Sequence, residues 1–131
     1  MEIVLRTYRD DQALHLSKIT RDSFVLHVSS SGFSGSSTFY DYDSDTISRF
    51  VDKLAGLALS GSGLAELVDI EGNELRFELN KLGHLEVSGK LIPHSIPHQM
   101  LEFGFLTDQT CLAPFVADLK KSKAVSNSSE N

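Results

Sequence analysis

The sequence has little of what secreted, membrane-spanning and nucleic-acid-binding proteins need. One cysteine among 131 residues excludes an internal disulfide framework and favours a reducing, cytoplasmic compartment. No stretch approaches the ~18 apolar residues of a membrane span, and the first residues lack the charged-then-apolar layout of a signal peptide. Basic residues are also few. The 12 Lys and Arg against 18 Asp and Glu give a formal charge of −6, which argues against binding to nucleic acid.

What is present is typical of a globular domain. Hydrophobic residues make up 40% of the chain and charged residues 23%. A chain of this length forms one domain with a core of its own. We expect that domain to span residues 1–121. Residues 122–131 are rich in Ser and have almost nothing to bury, so they are predicted to form a disordered polar tail.

Short apolar runs and period-2 alternation predict most of the chain to be β-structure. The segments with this signature are residues 3–8, 13–19, 24–29, 33–40, 64–70, 74–79, 84–92 and 99–106. Turn-forming residues separate most of these segments, which favours antiparallel hairpins. The pattern predicts a largely antiparallel sheet of about seven or eight strands.

Two segments have helical periodicity instead. The first has an apolar stripe at i, i+3, i+4 and i+7, formed by Ile47, Phe50, Val51, Leu54 and Leu57. It predicts a helix over about 45–59 that packs on the sheet, with Asp43 or Ser44 as its N-cap. The second stripe is formed by Leu112, Phe115, Val116 and Leu119 and predicts a C-terminal helix over about 110–121. The fold class is therefore α+β.

The strands at 74–79 and 84–92 can pair in two registers that keep their apolar residues on one face. One register sets Arg76 opposite Glu86, and the other sets Glu78 opposite Glu86. Opposite charges across a strand pair are stabilising and like charges are not, so the first register is favoured. Gly83 is expected to supply a positive φ in the connecting turn.

The histidines are the strongest candidates for chemistry. His84, His94 and His98 with a carboxylate would form a zinc site of a metal-dependent hydrolase. Pro93 and Pro97, however, fix an extended backbone that keeps the last two imidazoles off a common helical face. No motif joins a nucleophile to a base or cradles a phosphate. The residues therefore identify no catalytic residue and no cofactor, and the metal-dependent hydrolase stays an alternative.

A series of carboxylates suggests a surface role. Most alternate with apolar residues over three consecutive predicted strands: Glu66, Asp69, Glu71, Glu74, Glu78 and Glu86. One interpretation is an ordinary solvated sheet face. The other is an acidic docking surface for a basic protein partner, because complementary potentials accelerate association and select the partner.

Five features follow one another along roughly residues 24–120. They are an aromatic-ended strand at 32–40, the helix at 47–55, an acidic-Gly turn within 68–75, the stretch 82–87 and a strand that runs into the helix at 112–119. The order of these elements resembles the WapI-type immunity proteins, a family of small bacterial proteins.

This resemblance implies a non-enzymatic immunity-type protein that binds and neutralises a cognate bacterial toxin domain in the cytoplasm. The acidic charge would suit a basic toxin. The alternative to this function is a general protein-binding or scaffold domain.

The zinc hypothesis has a direct test. We expect elemental analysis of protein purified without a histidine tag to find no stoichiometric zinc, because the proline-shaped loop does not form a ligand frame. One zinc per chain, lost when His94 and His98 are replaced by Ala, would instead support the hydrolase alternative.

Overall fold

A computed structural model describes residues 2–7, 9, 11–41, 45–92 and 99–129, with side chains up to residue 122. In these residues the chain forms eight strands and two α-helices, which confirms the α+β prediction. The strands are all paired antiparallel but divide into two four-stranded sheets, β1-β2-β3-β4 and β5-β6-β7-β8. The histidines at 94 and 98 lie outside the described residues.

The first sheet contains the N-terminal strands. Its bounds are β1 Ile3–Arg6, β2 Gln12–Ser17, β3 Ser23–Ser30 and β4 Phe33–Tyr40. Alternation places one side of each strand in the core, as the period-2 pattern predicted. The buried apolar residues of this sheet are Ile3, Leu5, Leu14, Leu16, Phe24, Leu26, Val28 and Phe39. At the first turn, the Arg9 guanidinium hydrogen-bonds the Asp11 carboxylate and lowers the pKa of that carboxyl.

Helix α1 spans Thr46–Ser60 and buries Phe50, Val51, Leu54 and Leu57, four residues of the predicted stripe. The N–H groups of its first turn have a partner that the sequence analysis did not name. The buried Asp41 carboxylate accepts hydrogen bonds from the backbone N–H groups of Thr46 (3.2 Å) and Ile47 (3.0 Å). Asp41, which directly follows β4, therefore satisfies backbone N–H groups in the first turn of the helix. The predicted caps at 43 and 44 lie outside the described residues.

The second sheet contains β5 Gly63–Val68, β6 Glu74–Leu79, β7 His84–Leu91 and β8 Leu101–Asp108. Its inner face packs against both helices through aromatic rings. The Phe77 ring of β6 lies 6.0 Å from Phe50 of α1 and 5.8 Å from Phe115 of the C-terminal helix, between ring centroids. These contacts make Phe77 the centre of the core between sheet and helices.

The favoured register of the β6–β7 hairpin is wrong. Glu78 pairs with Glu86, and Arg76 pairs with Ser88. The turn decides this, because Asn80 accepts hydrogen bonds at its side-chain oxygen from Leu82 N (2.9 Å) and His84 N (3.0 Å). Gly83 has φ +87°, as predicted. Turn geometry thus outweighs a cross-strand charge preference of only a few tenths of a kcal/mol.

A short 3₁₀ turn at Gln109–Cys111 leads into helix α2, Leu112–Ser129. The predicted stripe of Leu112, Phe115, Val116 and Leu119 is buried, and the packed face extends to Ser122, which is also buried. The helix therefore continues beyond the predicted end near 121. The division into one domain at 1–121 and a polar tail stays a prediction.

A buried polar junction joins the two sheets. Asn73 donates from its side-chain amide to Thr38 O of β4 (3.1 Å) and accepts from Ile92 N just after β7 (2.8 Å). Asp69 accepts from Tyr40 N (3.3 Å) and from the Asn73 backbone and side chain. The turn between β5 and β6 is thus bonded to the edge of the first sheet and to the end of β7.

We expect Asn73→Ala to lower the free energy of unfolding by about 2–4 kcal/mol, because it leaves several buried polar groups without partners. Asn80→Ala is the matched control. Asn80 is exposed and its hydrogen bonds lie within one turn, so its replacement should cost about 1 kcal/mol. Equal losses in urea unfolding would contradict the bridging role of Asn73.

The Glu78–Glu86 pair generates a second prediction. Glu86→Lys should raise the free energy of unfolding by about 0.5 kcal/mol, since it replaces a cross-strand repulsion by an attraction. Glu66→Lys should lower it by a similar amount, because Glu66 pairs with Arg76. Thermal unfolding of both variants measures whether the free energy of unfolding rises or falls. A destabilised Glu86→Lys protein would refute the assigned register.

Candidate functional site

The solvent-facing side of the second sheet carries the predicted carboxylates. Pairing across the four strands arranges its side chains in three rows, which we call the acidic sheet face. The rows are Leu64–Glu78–Glu86–Leu106, Glu66–Arg76–Ser88–Gly104 and Val68–Glu74–Lys90–Glu102. Five carboxylates and two cations thus share one surface, a formal charge of −3.

The two cations of this face are already paired. Arg76 Nη2 lies 3.4 Å from Glu78 Oε1, and Lys90 Nζ lies 3.4 Å from Glu74 Oε2. Within the part of the chain that the structure describes, Glu66, Glu86 and Glu102 have no ion pair. Their charge is therefore available to an incoming positive group.

The centre of the acidic sheet face is concave. The middle row has the small residues Ser88 and Gly104 on β7 and β8, where neighbouring rows carry long side chains. A shallow hollow of about 350 Å³ lies beside Ser88, between the second and third rows, with Glu66, Glu74 and Glu102 among its lining. A hollow of this size admits a protruding side chain of a partner.

Apolar side chains lie among the charges. Leu106 is 65% exposed, Val68 is 54% exposed and Leu64 is 38% exposed. Each of them is the end residue of its row, on one of the two outer strands, β5 or β8. Exposed aliphatic residues beside charged ones can contribute apolar area to a protein-binding interface.

Four of the six predicted carboxylates lie on this face: Glu66, Glu74, Glu78 and Glu86. Asp69 does not, because it is buried in the junction between the sheets and accepts backbone hydrogen bonds there. Glu71 lies in the turn between β5 and β6 and is half-buried. Sequence alternation fails at these two because the strand has already ended at Val68.

The sequence prediction missed Glu102 and Leu106 of β8. Both alternate with the inward-facing Phe103 and Phe105, so their exposure could have been inferred. Their membership of the face could not, because it requires knowing that β8 pairs with β7.

The other candidates have less support. His84 is exposed at the start of β7, and among the described residues no group of three or more His, Cys, Asp or Glu could hold a metal ion. Cys111 is half-buried, with its sulfur 3.1 Å from Thr107 Oγ1, an arrangement that accounts for it as a packed residue. In the same described part of the chain, no helix is long and apolar enough to cross a bilayer.

Comparison with known proteins gives one family. No curated protein and no solved structure matches the chain significantly. The immunity protein WapI-like family matches residues 23–122, from the first residue of β3 to a buried position of α2. This match includes the whole acidic sheet face and most of the core, and the chain belongs to the immunity protein WapI-like family.

Proposed function

We propose that this protein neutralises a toxin domain by binding it in the cytoplasm, with the acidic sheet face as the docking surface. The observation that carries the proposal is the family match, since an immunity family implies a protein partner. The uncompensated carboxylates of the face make a basic toxin domain the partner of choice.

The arrangement of charge suits inhibition by association. Opposite potentials accelerate the encounter of two proteins and suppress wrong partners. The face retains Glu78 directly opposite Glu86, a pairing that costs stability. This repulsion between Glu78 and Glu86 would be relieved on binding if the partner places a cationic group between the two carboxylates.

Neutralisation of this kind needs no chemistry from the protein. Covering the substrate-binding surface of a toxin is sufficient, so we propose that the protein is not an enzyme and uses no cofactor. The exposed Leu64, Val68 and Leu106 would contribute buried apolar area at the rim of such an interface.

The experiment has two stages. Tagged protein is first used to capture partners at low salt from a lysate of the cells that encode it, and mass spectrometry identifies them. The captured domain is then expressed in a test bacterium with and without the protein. We expect it to stop growth when alone and to permit growth when the protein is present.

Two double variants test the docking surface. Glu66→Lys with Glu86→Lys should weaken toxin binding by about tenfold or more and reduce growth protection. Their opposite effects on stability should nearly cancel, so folding is preserved. Asp52→Lys with Asp118→Lys is the matched control, because both aspartates are exposed on helices away from the face.

Equal loss of binding in both double variants would show that net charge matters but the acidic sheet face does not. Captured domains that never inhibit growth would contradict the immunity function itself.

A further inference from the structure

The outer edge of β8 is open. α1 contacts β5 and α2 contacts β1, whereas β4 is bonded to the junction through Thr38 O and Tyr40 N. Among the residues that the structure describes, β8 has hydrogen-bonded strand pairing on one side only, with β7. β3 approaches β8 in those residues, but no backbone hydrogen bond joins the two strands, so this edge has no strand partner there.

The hydrogen-bond pattern of the sheet determines which backbone N–H and C=O groups of β8 point away from β7. Asn80 N donates to His84 O, which turns the even-numbered residues of β7 toward β6. The odd-numbered residues of β7 therefore bond to β8, through pairs such as Val87–Phe105. Because successive residues point in opposite directions, the N–H and C=O groups of Glu102, Gly104 and Leu106 face the open edge.

The edge lacks several of the usual protections against pairing. Natural sheets protect exposed edges with proline, lysine, bulges or very short strands. β8 has eight residues, Leu101–Asp108, without proline or lysine, and its register with β7 is continuous. Such an edge is a template for another strand.

A groove runs beside the first half of this edge. It has a volume of about 440 Å³ and is lined on one side by residues 100–104 and on the other by Val28, Ser30 and Phe33 of the β3–β4 hairpin. Phe33 is 72% exposed, although it lies on the same side of β4 as the buried Phe39. An extended segment placed here would pair with β8 and contact the Phe33 ring.

We propose that the open edge of β8 binds an extended segment of the basic partner by β-strand addition. A second copy of this protein would carry the same charge of −6, so self-pairing is disfavoured. A basic segment is favoured by Glu86 and Glu102 on the outer side. The side chains of the added strand alternate, with Lys or Arg beside these carboxylates and apolar residues toward Phe33 and Phe103.

This inference rests on the proposed immunity function for the identity of the partner, but its test does not. The probe is a capped eight-residue peptide of alternating lysine and valine, and the measurement is residue-resolved amide hydrogen exchange. In the free protein we expect the amides of Glu102, Gly104 and Leu106 to exchange much faster than those of Phe103 and Phe105.

At a peptide concentration about ten times the Kd, exchange of the three edge amides should slow by roughly tenfold. A peptide of alternating glutamate and valine should give no protection. Absence of protection with the lysine peptide would overturn the proposal. Concentration-dependent protection without peptide would also overturn it, in favour of pairing between two copies.

Gly104→Pro provides the matched variant. It removes an edge N–H without breaking the ladder to β7, and a Cβ at Gly104 meets only ordinary contacts with Ser88 and Val87. Gly104→Ala keeps the N–H and serves as the control. We expect the proline variant to lose peptide binding and the alanine variant to retain it. If the proline variant fails to fold, the exchange pattern of the wild-type protein still decides.

The same variants separate the two proposals. Growth protection retained by a folded Gly104→Pro protein would overturn strand addition while leaving the immunity function intact. If the peptide binds at the β8 edge but the protein protects against no captured toxin, strand addition is supported and the immunity function is contradicted.

Discussion

The buried Asp69–Asn73 junction is the interaction on which the arrangement of the two sheets depends. Asn73 is 1% exposed and bonds to the edge of the first sheet, to Asp69 and to the chain after β7. Buried polar groups of this kind are costly unless every partner is present, so they tolerate one geometry only. Apolar packing holds the two sheets together, and this network fixes how they are aligned. The alignment in turn leaves one side of the second sheet exposed as the acidic sheet face.

The two proposed binding features lie on that one sheet and are continuous. Glu102 contributes its side chain to the acidic sheet face and its backbone groups to the open edge of β8. A partner strand added beside β8 would extend the same face and place its outward side chains next to Glu86 and Glu102. Charge attraction would then raise the rate at which the partner associates. Backbone pairing with β8 would lengthen the lifetime of the complex.

The surface also shows where stability was given up. The turn at Asn80 sets Glu78 against Glu86, although a nearby register would have paired Arg76 with Glu86. Charge alone therefore gave the wrong prediction for this hairpin. Local turn geometry is worth more than a cross-strand ion pair in solvent, and it decided the register. The consequence is that two carboxylates lie directly opposite each other on the acidic sheet face.

The sequence by itself determined the kinds of elements and their buried faces. The stripe from Phe50 to Leu57 and the alternation in β3 and β6 are local periodicities, and each survives in the structure. Tertiary structure alone decided where the series of hairpins divides. It separated the strands into two sheets between β4 and β5, buried Asp69 and brought Glu102 into the acidic sheet face. The physical reason is that the packing of the two sheets and the polar junction between them join residues far apart in the chain, whereas periodicity reports only which side of an element is apolar.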